Sequence, residues 1–503
     1  MRKWLITTAL IAAMAPGLAM ATDPCDPEDP PEGLPSNENH PPIDAEAKDC
    51  VYGTNCPYEP TGIDWQDAGL LGGLNEDDKI LYVSKFDSQP SETPPNGRQD
   101  IWGHYIDDVW ASEADGSNTH RLTNSDYSFN HVIVSPDRKL IIANRFVRGN
   151  STGDYIDENE NEDFDTGEES VLNQEDFHQA VIIDIENDRM TPIAFIGTTE
   201  LDAGWGGMAV GPVDSGTGDM SVYFAATSIY AKDIYRVDLT KESDPDEPYS
   251  VSGATRITVN LLSKLGYTSP YGDTSPKWVT DLEVSKDGNY MAFLFLGPEM
   301  LDDADHSAWK NRIVFAKIDH ANNQIDKAAI VSSGGVPTGH GVGGQVWGDF
   351  DPDIAPGNFY VTFQRHNAFG QFETSGFSNG DIIRVQTPFL QTWSGWTPDT
   401  GYANLSSADP SDDQCQSTND SIHGIPSWSE GGGGCVIHTV WDEDCSGSCT
   451  LVTHARIVNP FDVNTTGEHA ANIVTALDGQ ALHHVQWIPN STTGNLEFCP
   501  TDE

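Results

Sequence analysis

The chain has 503 residues, and 37% of them are hydrophobic, which is enough to form a sizeable core. Acidic residues number 78 against 26 basic ones, giving a net charge of −52. Such a charge repels polyanions, so it argues against nucleic-acid binding and against docking on anionic membranes.

The first residues have the features of an export signal. Arg2 and Lys3 form a charged start, and an apolar segment from Leu5 to Ala15 follows that is too short to span a bilayer. Ala19 and Ala21 fit a small-x-small cleavage site. We therefore expect residues 1–21 to be a signal peptide and the mature protein to be secreted or periplasmic, with no membrane insertion.

Residues 22–60 are rich in Pro, Asp, Glu and Asn and have no apolar periodicity, which predicts an acidic arm outside the core. The eight cysteines lie near the two ends of the chain, and an oxidising compartment favours their pairing. They are Cys25, Cys50, Cys56, Cys415, Cys435, Cys445, Cys449 and Cys499. We expect disulfides that join the termini, and the competing interpretation of Cys445 and Cys449 is a metal or redox pair.

A repeated pattern begins near residue 65. Its clearest copies lie at 79–123, 131–144, 281–293 and 349–363. Each copy combines a short β-rich run, a turn rich in Ser, Pro, Asp and Gly, and a second β-rich run. The first copy ends in an Arg121-Leu-Thr123 motif. These features resemble PD40 repeats, found in TolB-like propellers, and the resemblance implies an all-β propeller over residues 61–503.

Blade starts are predicted near seven positions: Leu74, His131, Met208, Leu282, Val346, Pro426 and Val485. Little chain follows the last start, so the final blade should close with strands from the other end of the chain. We expect residues near Cys50 to Trp65 to supply those strands. Seven blades is the first expectation, and six is the alternative.

Alignment of the blades on the turn predicts which side chains surround the central funnel. His131 and His484 occupy the same slot before the turn, and Arg145 aligns with Lys85 near the end of the second strand. Five further side chains fall near the same face: Trp205, Arg365, His366, His423 and His438. Scarce positive charge on one face suggests an anionic ligand, because arginine binds carboxylates bidentately. The competing interpretation is that these polar residues simply face a wet channel.

The predicted ring is similar in architecture to that of propeller-fold polysaccharide lyases, such as ulvan and oligogalacturonate lyases. That resemblance implies β-elimination on an anionic, uronate-containing polysaccharide. The blade alignment assigns Arg145 to neutralise the carboxylate, with Lys85 or Arg365 as substitutes, and His131 and His484 as base and acid. Trp205 would stack on a sugar ring. The alternative is a non-catalytic propeller that binds a protein partner or another ligand.

Two metal sites are also conceivable from the sequence. The funnel histidines could hold a transition metal, since imidazole suits Zn, Cu, Mn or Fe. Alternating acidic and amide residues resemble a structural Ca²⁺ loop, although the turn glycine comes one position late. They are Asp157, Asn159, Asn161, Asp163 and Asp165. A solvated acidic insertion is the competing interpretation of that segment.

Overall fold

The fold is taken from a computed structural model. It describes residues 65–84, 107–124, 128–147, 177–193, 195–196, 199–200, 207–227, 232–268, 272–273, 275, 277–301, 310–334, 347–366, 380–405, 422–429, 434–444, 450–461, 474–478 and 482–489. The predicted signal peptide and acidic arm lie outside these residues. In the described parts of the chain, no helix has the length and apolar character needed to cross a bilayer.

The regular secondary structure of the described residues is almost entirely β-strand. The first half of the chain contains β1 (Gln66–Asp67), β2 (Ile80–Ser84), β3 (Asp108–Ser112), β4 (His120–Arg121), β5 (Ser128–Val134), β6 (Leu140–Val147), β7 (Phe177–Asp184), β8 (Arg189–Pro192), β9 (Phe195–Ile196), β10 (Thr199–Glu200), β11 (Met208–Val210), β12 (Met220–Thr227), β13 (Lys232–Lys241), β14 (Tyr249–Val251) and β15 (Thr255–Arg256). A four-residue helix, α1 (Leu261–Lys264), follows.

The second half continues the pattern and adds one more four-residue helix, α2 (Pro298–Leu301). Its strands are β16 (Trp278–Val284), β17 (Tyr290–Leu296), β18 (Lys310–Asp319), β19 (Gln324–Ile330), β20 (Trp347–Ile354), β21 (Tyr360–His366), β22 (Gly380–Gln386), β23 (Ala403–Asn404), β24 (Ile422–Trp428), β25 (Val436–Asp444), β26 (Thr450–Val458), β27 (Val474–Asp478) and β28 (Leu482–Trp487).

These strands form six blades around one axis. From the axis outwards, blade 1 is β28-β2-β3-β4 and blade 2 is β5-β6-β7-β8 with β1 at its outer edge. Blades 3 to 5 start at β11, β16 and β20, and blade 6 is β24-β25-β26-β27. Parallel bridges connect blade 3 to blade 4 and blade 4 to blade 5. The all-β propeller is therefore confirmed, with the alternative count of six blades.

The expectation of seven blades was wrong because one blade was counted twice. The predicted starts near Leu74 and Val485 belong to the same blade, in which β28 pairs antiparallel with β2. The last strand thus supplies the inner edge of a blade whose other strands come from the beginning of the chain. β2, β3 and β4 complete the blade, and this exchange closes the ring and removes an exposed sheet edge. The residues expected to close the blade, near Cys50 to Trp65, lie outside the described residues except for Trp65.

The core is divided into six apolar layers, one between each pair of adjacent blades. Strand alternation produces this division. Ile141 and Ala143 on β6 pack with blade 1, whereas Leu140 and Ile142 on the same strand pack with blade 3. Every blade is therefore buried on both faces, and its inner edge is left to line the axis.

A repeated polar contact explains the Arg-Leu-Thr motif. Thr123 donates its hydroxyl hydrogen to buried Asp108 over 2.9 Å and accepts the Val109 N–H over 3.0 Å. In blade 3, Thr258 makes the equivalent bonds to Asp233 and to the Ile234 N–H, over 2.7 and 3.1 Å. The motif thus ties the short outer strand to the start of the third strand.

Candidate functional site at the propeller axis

The inner strands place equivalent residues around the axial channel. In blades 1 to 5 these are His484, His131, Gly207, Asp281 and Asp351, which line the cavity, and in blade 6 the equivalent position is Ile425, next to the lining residue Pro426. Hydrogen bonds support the equivalence, because in every blade the N–H of the residue four positions later bonds to a backbone carbonyl at or beside the start of the second strand. The donors are Ile488, Ser135, Gly211, Ser285, Ala355 and Ser429. We call these six equivalent positions the axial ring.

Backbone irregularities accompany the axial ring. The pairing register of the inner strand shifts beside His131, Asp281, Asp351 and His484. Asp281 and Asp351 adopt φ values of 44° and 46°, in the left-handed region that few non-glycine residues occupy. Bulges of this kind re-aim side chains, and here the re-aimed residues line the channel.

Imidazoles occupy one side of the axial ring. The rings of His131 and His484, from the adjacent blades 2 and 1, lie 4.3 Å apart between centroids and are tilted by 59°. His484 is 2% exposed, whereas His131 is partly exposed. The two side chains predicted as base and acid are therefore brought together.

Carboxylates occupy the opposite side. Asp281 and Asp351 come from blades 4 and 5, which stand across the axis from blades 1 and 2. Burial, followed by the charge of Asp281, raises the pKa of Asp351 well above its usual range. Asp353 also lines the channel, and burial raises its pKa to about 7, although N–H groups of Trp428 and Ile354 stabilise its charged form.

The cavity enclosed by the axial ring is small. The space that water centres can reach measures about 30 Å³, enough for about two waters, and the empty volume is about 340 Å³ when the part open to solvent is included. Among the described residues that line it, the acidic side chains are Asp281, Glu283, Asp351 and Asp353, and none is a lysine or arginine.

Gly207 is the residue of blade 3 at the axial ring, and it has no side chain to extend into the cavity. A Cβ at this position would lie 2.7 Å from the Leu282 nitrogen and 3.0 Å from the Asp281 Cα, closer than side-chain carbons approach backbone. The glycine therefore lets the bulge of β16 approach and holds Asp281 in place.

The predicted arginines have partners elsewhere in the protein. Arg145 is buried on β6, where its guanidinium bonds to Gln179 and lies 3.8 Å from the Met190 sulfur. It shares the strand face of Ile141 and Ala143, which pack between blades 1 and 2. The structure thus places Arg145 between blades and outside the cavity lining.

Arg365 belongs to a buried ion cluster. Its guanidinium donates to both carboxylate oxygens of Asp349, over 2.7 and 3.0 Å, and to Asp399 over 2.8 Å. Burial would lower the pKa of Arg365, but these two carboxylates outweigh it and raise it. We call Arg365, Asp349 and Asp399 the rim ion cluster.

The remaining predicted residues are distributed as follows. His438 is fully buried on β25, while His366 lies in β21 and His423 in β24. Lys85 and Trp205, and the predicted Ca²⁺ residues Asp157, Asn159, Asn161, Asp163 and Asp165, lie outside the described residues. The described cysteine, Cys435, is buried and disulfide-bonded, and the pairing of the chain ends stays a prediction.

Sequence reasoning missed the carboxylates of the axial ring, although the signal was present. Asp281 and Asp351 stand four residues before the turn, in the slot that singled out His131 and His484. The prediction considered basic and imidazole side chains at this slot. Comparison of the same slot in all six blades also identifies the two carboxylates.

No family model and no curated protein matches this chain. Among solved structures, TolB from Acinetobacter baumannii is similar, with 11% identity and a TM-score of 0.39 over 82% of this chain and 66% of that one, just under two thirds of its length. An exo-1,5-alpha-L-arabinanase from a bovine ruminal metagenomic library has 9% identity and a TM-score of 0.34 over 70% and 98% of the two chains. An endo-arabinase from Bacteroides thetaiotaomicron has 10% identity and a TM-score of 0.31 over 65% and 92%. The fold itself follows from the strand pairing: the chain is a six-bladed β-propeller similar to that of TolB.

Proposed function

We propose that this protein is an exported, non-catalytic binding propeller whose axial ring receives a positively charged group of its ligand. The observation that carries the proposal is the lining of the cavity, which combines four carboxylates with two imidazoles. A cation in a narrow, protein-walled channel interacts with such carboxylates more strongly than it would in water.

The arginines that suggested an anionic ligand have other partners. Arg365 is matched by two carboxylates, and Arg145 contacts Gln179 and Met190. With a net charge of −52 on the whole chain, long-range steering also favours cationic ligands. The expected partner is therefore one that carries amines or bound cations.

The test uses oligosaccharides of equal length that differ only in charge: glucosamine, N-acetylglucosamine and uronate oligomers. Isothermal titration calorimetry should show that the amine-bearing oligomer binds and that its affinity falls as salt is added. In the Asp281→Asn variant, the affinity for this oligomer should fall at least tenfold. Asp77→Asn changes an exposed carboxylate in the turn before β2 and serves as the matched control. Tighter binding of the uronate oligomer would overturn the proposal.

The contact between His131 and His484 favours a second candidate function, the β-elimination of a uronate polysaccharide. Two adjacent imidazoles can act as base and acid near neutral pH. This reaction needs a cation that neutralises the carboxylate of the polysaccharide. Lys85, which lies outside the described residues, is the candidate for that role. Exported protein should then release an unsaturated product that absorbs in the ultraviolet, and His131→Ala should abolish that signal. Absence of the signal with every uronate polymer would reject this function.

A further inference from the structure

Large apolar side chains are exposed at one end of blades 5 and 6. Phe359, Leu390 and Phe461 are 48%, 73% and 51% exposed. Phe359 lies in the turn before β21 and packs on Phe389, the neighbour of Leu390, while Phe461 follows β26. The ends of β22 and β26 lie beside these turns, because β22 pairs antiparallel with β21 and β26 with β25. Exposed apolar side chains gathered in this way mark sites of interaction on soluble proteins.

An arginine lies between aromatic rings at this end of the two blades. The guanidinium carbon of Arg384, on β22, is 4.8 Å from the ring centre of Tyr360 and 5.4 Å from that of Phe461. One N–H of the guanidinium donates to the carbonyl oxygen of Pro460, and its Nε–H has no hydrogen-bond partner among the described residues. The rings of Tyr360 and Phe461 are also in contact, 5.7 Å apart between centroids. These contacts hold the cation at the boundary between blades 5 and 6.

Among the described residues, no carboxylate compensates the charge of Arg384. Burial lowers its pKa and the charge of Tyr360 opposes that effect, whereas two carboxylates raise the pKa of the buried Arg365. Arg384 remains protonated at neutral pH all the same. The sequence around it contains no Asp or Glu at 354–372 or at 382–398, in a chain with 78 acidic residues. The chain thus keeps its own acidic side chains out of these two segments.

We call Phe359, Tyr360, Arg384, Leu390 and Phe461 the turn-end surface. None of these residues lines the cavity at the axis, so the turn-end surface is separate from the axial ring. Aromatic residues and arginine are enriched at the centres of protein–protein interfaces, and other charged residues are depleted there.

We propose that the turn-end surface docks a protein partner whose contacting segment carries an aspartate or glutamate beside large apolar side chains. The partner's carboxylate would complete the charge of Arg384, which can bind it bidentately. Its apolar side chains would cover the exposed rings and Leu390. An anionic glycan would also supply a carboxylate, but its many hydroxyl groups need hydrogen-bond partners, and the exposed side chains here are hydrocarbon.

The experiment uses phage-displayed random dodecapeptides as the probe. The library is first depleted on the Arg384→Met variant and then selected on the unchanged exported protein, and the selected peptides are synthesised and titrated by calorimetry. We expect peptides with an acidic residue beside aromatic or aliphatic ones, and an affinity for Arg384→Met lower by about tenfold or more. Lys139→Met is the matched control, since it removes an exposed cation that pairs with Glu186 in blade 2, and it should bind the peptides unchanged.

A second variant adds a carboxylate to the turn-end surface. Leu390→Asp should fold, because Leu390 is 73% exposed, and circular dichroism checks this directly. It should repel the acidic residue of the peptide and lower the affinity by about tenfold. Leu71→Asp is its control, because Leu71 is 55% exposed and lies beside blade 1, where its N–H bonds to Leu122.

Three results would overturn the inference. The first is a depleted library that yields no binding peptide, or only peptides without an acidic residue. The second is equal affinity of the peptides for Leu390→Asp and Leu71→Asp. The third is displacement of the peptides by uronate oligomers whose binding depends on Arg384, which would assign the turn-end surface to an anionic glycan.

Discussion

The rim ion cluster and the axial ring use the same residue types in opposite ways. In the rim ion cluster, one guanidinium faces two carboxylates, and Asp349 and Arg365 are both buried. In the axial ring, two carboxylates face two imidazoles across a wet cavity, with no described guanidinium or ammonium group on its walls. Matched charge of the first kind holds a fold together, whereas carboxyl groups with raised pKa values that line a cavity are typical of sites that bind something.

Effects on the pKa follow the same division. Burial raises the pKa of Asp399, but the hydrogen bond and charge of Arg365, together with hydrogen bonds from Ser333, outweigh it and lower the pKa below its usual value. For Asp351, burial and then the charge of Asp281 both raise the pKa. Three substitutions separate a structural from a functional use of these charges.

The largest effect is expected in the rim ion cluster. Arg365→Met leaves Asp349 buried without its cation, which should lower the free energy of unfolding by about 3–5 kcal/mol. Urea denaturation measures the change. The control is Lys139→Met, which breaks an exposed 2.9 Å pair with Glu186 and should change stability by less than about 1 kcal/mol. Equal effects of the two substitutions would show that the rim ion cluster is not structural.

A smaller effect is expected where the backbone shapes the axial ring. Gly207→Ala places a carbon against the Leu282 nitrogen and should destabilise the protein by about 1–3 kcal/mol. The displaced Asp281 should also weaken binding of the amine-bearing ligand. Gly253→Ala is the control, because a Cβ there meets nothing within 4 Å. Thermal unfolding of both variants measures the difference. If the Gly207→Ala variant were as stable as the unchanged protein, β16 would have to move aside to make room for the added carbon.

The smallest effect concerns the pH dependence of stability. Burial raises the pKa of Asp353 from 3.8 to about 7 in the folded protein, so the unfolded chain releases its proton first as pH rises. The stabilisation that protonated Asp353 provides at low pH is therefore lost between about pH 4 and 7. Asp353→Asn should remove that loss and raise stability at pH 8 by about 1–2 kcal/mol relative to the unchanged chain. Unfolding curves at pH 4 and pH 8 measure it, and an equal pH dependence in both proteins would assign the shift to another group.

The sequence determined the propeller fold and the position of its inner strands. Turn residues, alternating β-rich runs and the slot before each turn are local features, so six of the seven predicted starts fall in or next to inner strands, and the rings of His131 and His484 are in contact. Only the tertiary structure decided the blade count, because closure of the ring by β28 on β2 is a contact between the two ends of the chain. It also decided which charged side chains pair with each other. Whether an arginine points to the axis or pairs with a carboxylate depends on the face of its strand and on loops distant in sequence, as the bond between Arg365 and Asp399 illustrates.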